Sequence, residues 1–174
     1  MISESDSKDL KRNQELLDSA ISKLEIQSVL VRESKTFVRD NFAPSDEELN
    51  DYITQTFAKP TQSGDSNDSL QYGFKIMAGI RLIHKDDIEH ARESDSTDFI
   101  CAEIRTHFVA LYDAKESLSK DEENIFHQKN AIFNVWPYWR EFVQQMGWRM
   151  GAPYFHVKLL KQRNLVNPKH QPKK

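Results

Sequence analysis

Apolar and polar positions along this chain change period several times, and each change marks a boundary between elements. From Asp9 to Ile21, the apolar residues Leu10, Leu17 and Ile21 recur at roughly helical spacing with few breakers between them. That predicts a short amphipathic N-terminal helix. The stretch before it, Ser3 to Lys8, is polar, so residues 1–8 read as a disordered N-terminus. At Leu24 the period drops to two. Leu24 and Ile26 alternate with Glu25 and Gln27, and Val29 and Val31 carry an extended run towards Phe37. Leu24 to Val38 therefore reads as a long first strand, with a bulge near Ser28 where the alternation slips by one.

Asn41 to Asp46 contains Pro44 and reads as a turn. Two signals then compete. Ser45 with Glu48 has the form of a capping box that opens a helix, whereas the Tyr, Thr, Ile and Phe of Asp51 to Phe57 suit a pleated surface. The strand is the preferred reading for Asp51 to Phe57, with Pro60 to Ser69 as a polar loop after it. Two stronger strands follow. Tyr72, Phe74, Ile76, Ala78, Ile80 and Leu82 share one face opposite Lys75 and Arg81. Ile100, Ala102, Ile104, Thr106, Phe108 and Ala110 repeat the pattern opposite Glu103, Arg105 and His107. The charged connector His84 to Ser96 is long enough for an antiparallel return. Four strands with one buried and one wet face describe an antiparallel sheet.

Asp113 to Glu123 is polar and leads into a long C-terminal helix. At 100° per residue, Ile132, Val135, Trp136, Trp139, Phe142, Val143, Met146 and Met150 fall within about 120°. A stripe that broad covers a sheet, and Trp residues at such spacing are more often core than binding surface. Phe133 and Trp148 fall on the opposite, polar side. Pro137 is expected to kink the helix, and Gly151 and Pro153 to end it. The fold class is therefore α+β: a four-stranded antiparallel sheet packed with a long C-terminal helix, plus a short N-terminal helix. The chain divides into residues 1–8, a single domain over 9–160, and a flexible tail over 161–174.

Composition narrows the function. The 174 residues fit one domain, and the apolar content suffices for one core. No apolar run approaches the ~20 residues of a transmembrane helix, and no signal-peptide pattern opens the chain, so the cytosol is the expected compartment. The single cysteine, Cys101, excludes an intrachain disulfide and a cysteine-based zinc site, and its apolar neighbours predict burial. His84 and His90 bracket Asp86, Asp87 and Glu89, but without a fixed ligand spacing they read as a solvated connector rather than a metal site. Cys101 and His107 share a strand face three pleats apart, too far for a nucleophile and its base, which need ~3 Å contact. No GxGxxG, P-loop or GxSxG pattern is present. No enzyme, cofactor or metal is expected.

Charge is lopsided. Residues 1–141 carry a formal −10, whereas the last 33 residues carry +7 from Arg149, Lys158, Lys161, Arg163, Lys169, Lys173 and Lys174. Such a tail reads either as a solvated end or as an interaction segment for nucleic acid.

Asn130 to Glu141 (NAIFNVWPYWRE), followed by Arg149, Gly151 and Pro153, resembles the helix signature of the SecB family of export chaperones. The matching positions are Asn130, Trp136, Pro137, Tyr138, Arg140 and Glu141. Upstream, LEIQSVLVRESKTF resembles the family's opening strand, and YGFKIMAGIRLI and FICAEIRTHFVALY its central hairpin, so the resemblance covers about residues 20–160. It implies a homo-oligomer, usually a tetramer, whose grooves hold unfolded polypeptide without ATP. It also implies Phe57 as a groove-lining client contact, and it agrees with Phe133, Tyr138 and Trp148 as client or oligomer contacts off the core stripe. Asn130, Trp136, Pro137, Arg140 and Glu141 are then structural members of the helix motif. Departures are informative. Glu33 stands in the position of a first-strand contact to the SecA motor, but no full acidic patch accompanies it, and the tail is basic. The N-terminal helix and polar insertions look more like the branch of SecB-like proteins that protects an antitoxin of a toxin–antitoxin system. General export with SecA is the alternative, and a nucleic-acid-binding module the more distant one.

Overall fold

A computed structural model describes residues 4–40, 42, 43, 45, 47–64, 70–93, 97–152 and 155–160. In chain order the elements are α1 (Glu4–Lys23), β1 (Leu24–Val38), β2 (Tyr52–Gly64), β3 (Gln71–His84), α2 (Ile88–Glu93), β4 (Ile100–Ala114), α3 (Lys120–Phe126) and α4 (Ile132–Arg149). The strands form one antiparallel sheet in the order β1-β4-β3-β2, so the two strongest alternating segments lie in the centre and β1 and β2 form its edges. β1 has the bounds its alternation predicts. Its register slips twice, at Gln27 and at Arg32; the first slip puts Val29 and Val31 on the core side, and the second puts Val38 there and Phe37 on the opposite face. Val29 and Val31 thereby share a face with Ile26, and Val31 pairs with Phe108.

β2 departs from expectation. It runs on through Pro60 to Gly64, where a loop is expected from Pro60 onward. Pro60 pairs with Ile76, and the register shifts directly after it. An edge strand tolerates a proline because the missing N–H costs no ladder bond on the solvent side. Before β2, both competing signals are satisfied. Ser45 N donates to Glu48 Oε2 at 2.7 Å and Glu48 N to Ser45 Oγ at 3.3 Å, capping a single 3₁₀ turn before the strand begins.

The helices cover one sheet face. Phe74, Ile76, Ala78, Ile80 and Leu82 of β3 and Ala102, Ile104, Phe108, Ala110 and Tyr112 of β4 are buried there. Phe126, Ile132, Val135, Trp139 and Val143 close over them, with Trp139 edge-on to Phe108 at 6.2 Å and Phe126 edge-on to Tyr112 at 5.1 Å. α1 is longer than expected and takes in Glu4–Lys8; Leu17 and Ala20 insert into the same core. α3 opens inside the stretch expected to be a polar lead. Ser119 and Glu122 form a reciprocal capping box that no apolar period announces.

A single π turn, His127–Ala131, joins α3 to α4. α4 then continues unbroken across Pro137 to Arg149. A Schellman arrangement ends it: Gly151 N donates to Trp148 O at 3.2 Å, and Ala152 N to Gly147 O at 2.7 Å. Gly151 takes the left-handed φ of 67° that this stop requires. Pro153 and the basic tail over 161–174 lie outside the described residues.

Candidate functional site

The chain after α4 turns back along the helix. Arg140 Nε donates to Val157 O at 3.1 Å, and Trp136 Nε1 to Lys158 O at 2.8 Å. Two side chains of the helix signature thus hold an extended segment, 155–160, by its backbone. Phe155 and Val157 turn into the core, whereas Leu159 is 70% exposed. This strap stands opposite the β2 edge. Between them lies a groove of about 840 Å³, bordered by Thr54, Thr56, Phe57, Trp136, Leu159 and Leu160. Among the described residues Lys158 is the one formally charged side chain of its lining, and no carboxylate contributes. Among the described residues no strand pairs outside β2, so its outer N–H and C=O groups face the groove. An unpaired strand edge beside a groove of mixed lining, with Trp136, Leu159 and Leu160 among its apolar members and Thr54, Thr56 and His156 among its polar ones, suits an extended peptide: backbone bonds give affinity and side-chain pockets give selection.

The structure distributes the expected contact residues over different surfaces. Phe57 borders this groove, but its ring lies on the sheet face away from the helices, over Gly79. Tyr138, 48% exposed, belongs to a second, smaller groove of about 210 Å³ between β1 and α4, with Val29, Val31 and Phe142. Trp148, 75% exposed, borders a third cavity of about 310 Å³ with Phe155 and Val157. Phe133 is exposed on α4 and lines none of these three. Trp136, expected in the core, is only half-buried; its indole N–H secures the strap while the ring floors the groove. Arg140 donates to the strap, whereas Glu141 is exposed, borders the β1–α4 groove and accepts from Gln145 at 3.1 Å. Asn130 falls within the π turn, and the helix bond to the sheet comes instead from Asn134 Nδ2, which donates to Tyr112 Oη at 2.9 Å.

Several ionisable groups away from these grooves have structural settings. Burial pushes the Tyr112 phenol up to about 12 and also raises the Cys101 thiol, so neither is a nucleophile near neutral pH. His84 Nδ1 accepts from Asp86 N at 3.3 Å and His90 stacks on Phe99 at 5.5 Å, local roles within the connector. Among the described residues no cluster of His, Cys, Asp or Glu has the makings of a metal site, and no helix is long and apolar enough to cross a membrane. What sequence reading missed is the 155–160 strap. Its apolar residues follow no helical or strand period, and the only signal is the pair of donors on α4 awaiting acceptors.

The arrangement of the chain has a counterpart among solved structures. It matches a SecB-like chaperone of Mycobacterium tuberculosis, Rv1957, solved in complex with a ChAD peptide from the Rv1956 HigA1 antitoxin. The TM-score is 0.67 with 16% sequence identity, over 86% of this chain and 99% of that one. This is a SecB-like fold. No family model matches the chain, and no curated protein matches it. At that identity the SecB-like character is a property of the backbone: four antiparallel strands, the long helix and the N-terminal helix.

Proposed function

We propose that this chain is an ATP-independent SecB-like holdase that keeps aggregation-prone polypeptide extended, and that its dedicated client is an antitoxin of a toxin–antitoxin system. The observation that carries the reading is the β2–strap groove, where an unpaired strand edge lies beside apolar Trp136, Leu159 and Leu160 and, among the described residues, no carboxylate. A holdase needs no general acid, base or cofactor. The bound antitoxin peptide of the mycobacterial SecB-like chaperone supports the dedicated role over general export. The second free edge, β1, with half-exposed Val31 and Tyr138 beside it, is assigned to self-association, with a homotetramer as the expected assembly. The protein acts in the cytosol.

Light scattering of a thermally aggregating client, with and without the protein, tests the holdase role. Stoichiometric protein should suppress the signal. Thr56→Glu should weaken suppression by at least severalfold at unchanged helical content, because it places a charge in the groove at an exposed position. Absence of suppression, for a general client and for an antitoxin encoded beside this chain, would overturn the reading. Retention of SecA in place of an antitoxin would instead favour the export alternative.

A further inference from the structure

The sheet face away from the helices is not merely a wet back. Register places its side chains in rows across all four strands. Phe37, Glu103, Arg81 and Gln55 form one row; Lys35, Arg105, Gly79 and Phe57 the next; Glu33, His107, Met77 and Lys59 the third. Lys75 follows beside Val109. Among the described residues, five cations, Lys35, Lys59, Lys75, Arg81 and Arg105, share the Phe57 end of this face with two carboxylates, Glu33 and Glu103, whereas Glu25 and Asp113 pair at its far end, so the positive charge is concentrated around Phe57.

The centre of this face is built. Gly79 leaves a gap that Phe57 fills; a Cβ there would sit 2.1 Å from the ring. Guanidinium groups lie on either side of that ring, Arg81 at 5.7 Å and Arg105 at 6.0 Å from its centroid. Glu103, 1% exposed, accepts from Arg105 Nη2 at 2.8 Å and fixes that head. Arg81 is the register neighbour of Glu103, and the Nε atoms of both Arg81 and Arg105 are buried without a hydrogen-bond partner. Lys35 and Lys59 stand exposed around them.

We infer that this face docks an acidic protein segment, with Phe57 as the apolar anchor and Arg81 and Arg105 as carboxylate-binding forks. Arginine and aromatic side chains at the middle of a patch, ringed by lysines, form the usual energetic centre of a protein interface. Planar guanidiniums match carboxylates in paired hydrogen bonds. Glu33 and Glu103 within the patch oppose a continuous phosphate backbone, which favours peptide over nucleic acid. The face meets the β2–strap groove at Phe57, but its cations do not line that groove, so the inference does not rest on the holdase reading.

Fluorescence anisotropy of a labelled poly-Glu peptide on the full chain tests it. Binding should weaken steeply with salt and about tenfold in Lys35→Glu/Lys59→Glu, two exposed positions whose inversion leaves the fold intact. The matched tail inversion Lys173→Glu/Lys174→Glu should weaken it far less. The assignment is overturned if the tail pair matters as much as the face pair, or if neither matters. It is likewise overturned if a labelled oligo-dT of equal charge binds this face more tightly than poly-Glu.

Discussion

Phe57 and Gly79 show how much of this sheet is decided by single side chains. They are partners across β2 and β3, and the ring occupies the volume that any other residue at 79 would need. Gly79→Ala forces the ring outward, and overpacking of this kind costs about 1–3 kcal/mol. Denaturant unfolding of Gly79→Ala, Phe57→Ala and the double variant should show strong coupling, with the double variant close to Phe57→Ala alone. Additive losses would mean that the contact does not matter. Neither residue advertises this in the sequence. Phe57 reads there as a groove residue, because only register brings it over Gly79. The α4 residues are partly legible for the opposite reason. Helical period alone separates buried Val135 and Trp139 from exposed Phe133 and Trp148. It misplaces Trp136, whose angular position is core-like but whose indole N–H has an acceptor beyond the helix.

Elements are legible where their period is strong and self-contained. β1 follows from its alternation, down to the slip near Ser28 that keeps Val29 and Val31 on the face of Ile26, whereas the second slip at Arg32 has no such signal. β2 is cut short in the sequence reading because Pro60 signals a break, and only its place at the sheet edge makes the proline harmless. The joint between α1 and α3 is another long-range fact. Glu122 Oε1 accepts from Lys23 Nζ at 2.7 Å and from Ser19 Oγ at 2.6 Å, while Oε2 accepts from Ser119 N at 2.7 Å. These bonds, the Lys23 contact foremost, draw its carboxyl down to about 2 from an ordinary 4.5. Because the folded value is the lower one, this contribution is complete above about pH 4.5. It is lost progressively as pH falls towards 2. Glu122→Gln should cost about 2 kcal/mol at neutral pH, the usual worth of hydrogen bonds to a buried charge. In urea unfolding across that window, the difference from wild type should shrink as the pH drops. A constant difference would contradict the assignment.

At the scale of the molecule, one sheet serves three surfaces. Its helix-covered face supplies stability, and its opposite face carries a positive, Phe57-centred patch within an acidic stretch of chain. Its two edges remain unpaired among the described residues. Edges this long invite pairing with other chains, and a protein that leaves two of them open has either a partner or an aggregation problem. The strap over 155–160 turns one edge from a liability into a groove, because Trp136 and Arg140 hold it at a distance from β2 rather than paired with it. Amide hydrogen exchange of the full chain, with and without an unfolded antitoxin, tests this central claim most directly. Added client should slow exchange along Tyr52–Ala58 and over 157–160, while the central strands β3 and β4 stay unchanged. Protection confined to other surfaces, with β2 exchanging as fast as before, would contradict the groove as the place where polypeptide is held.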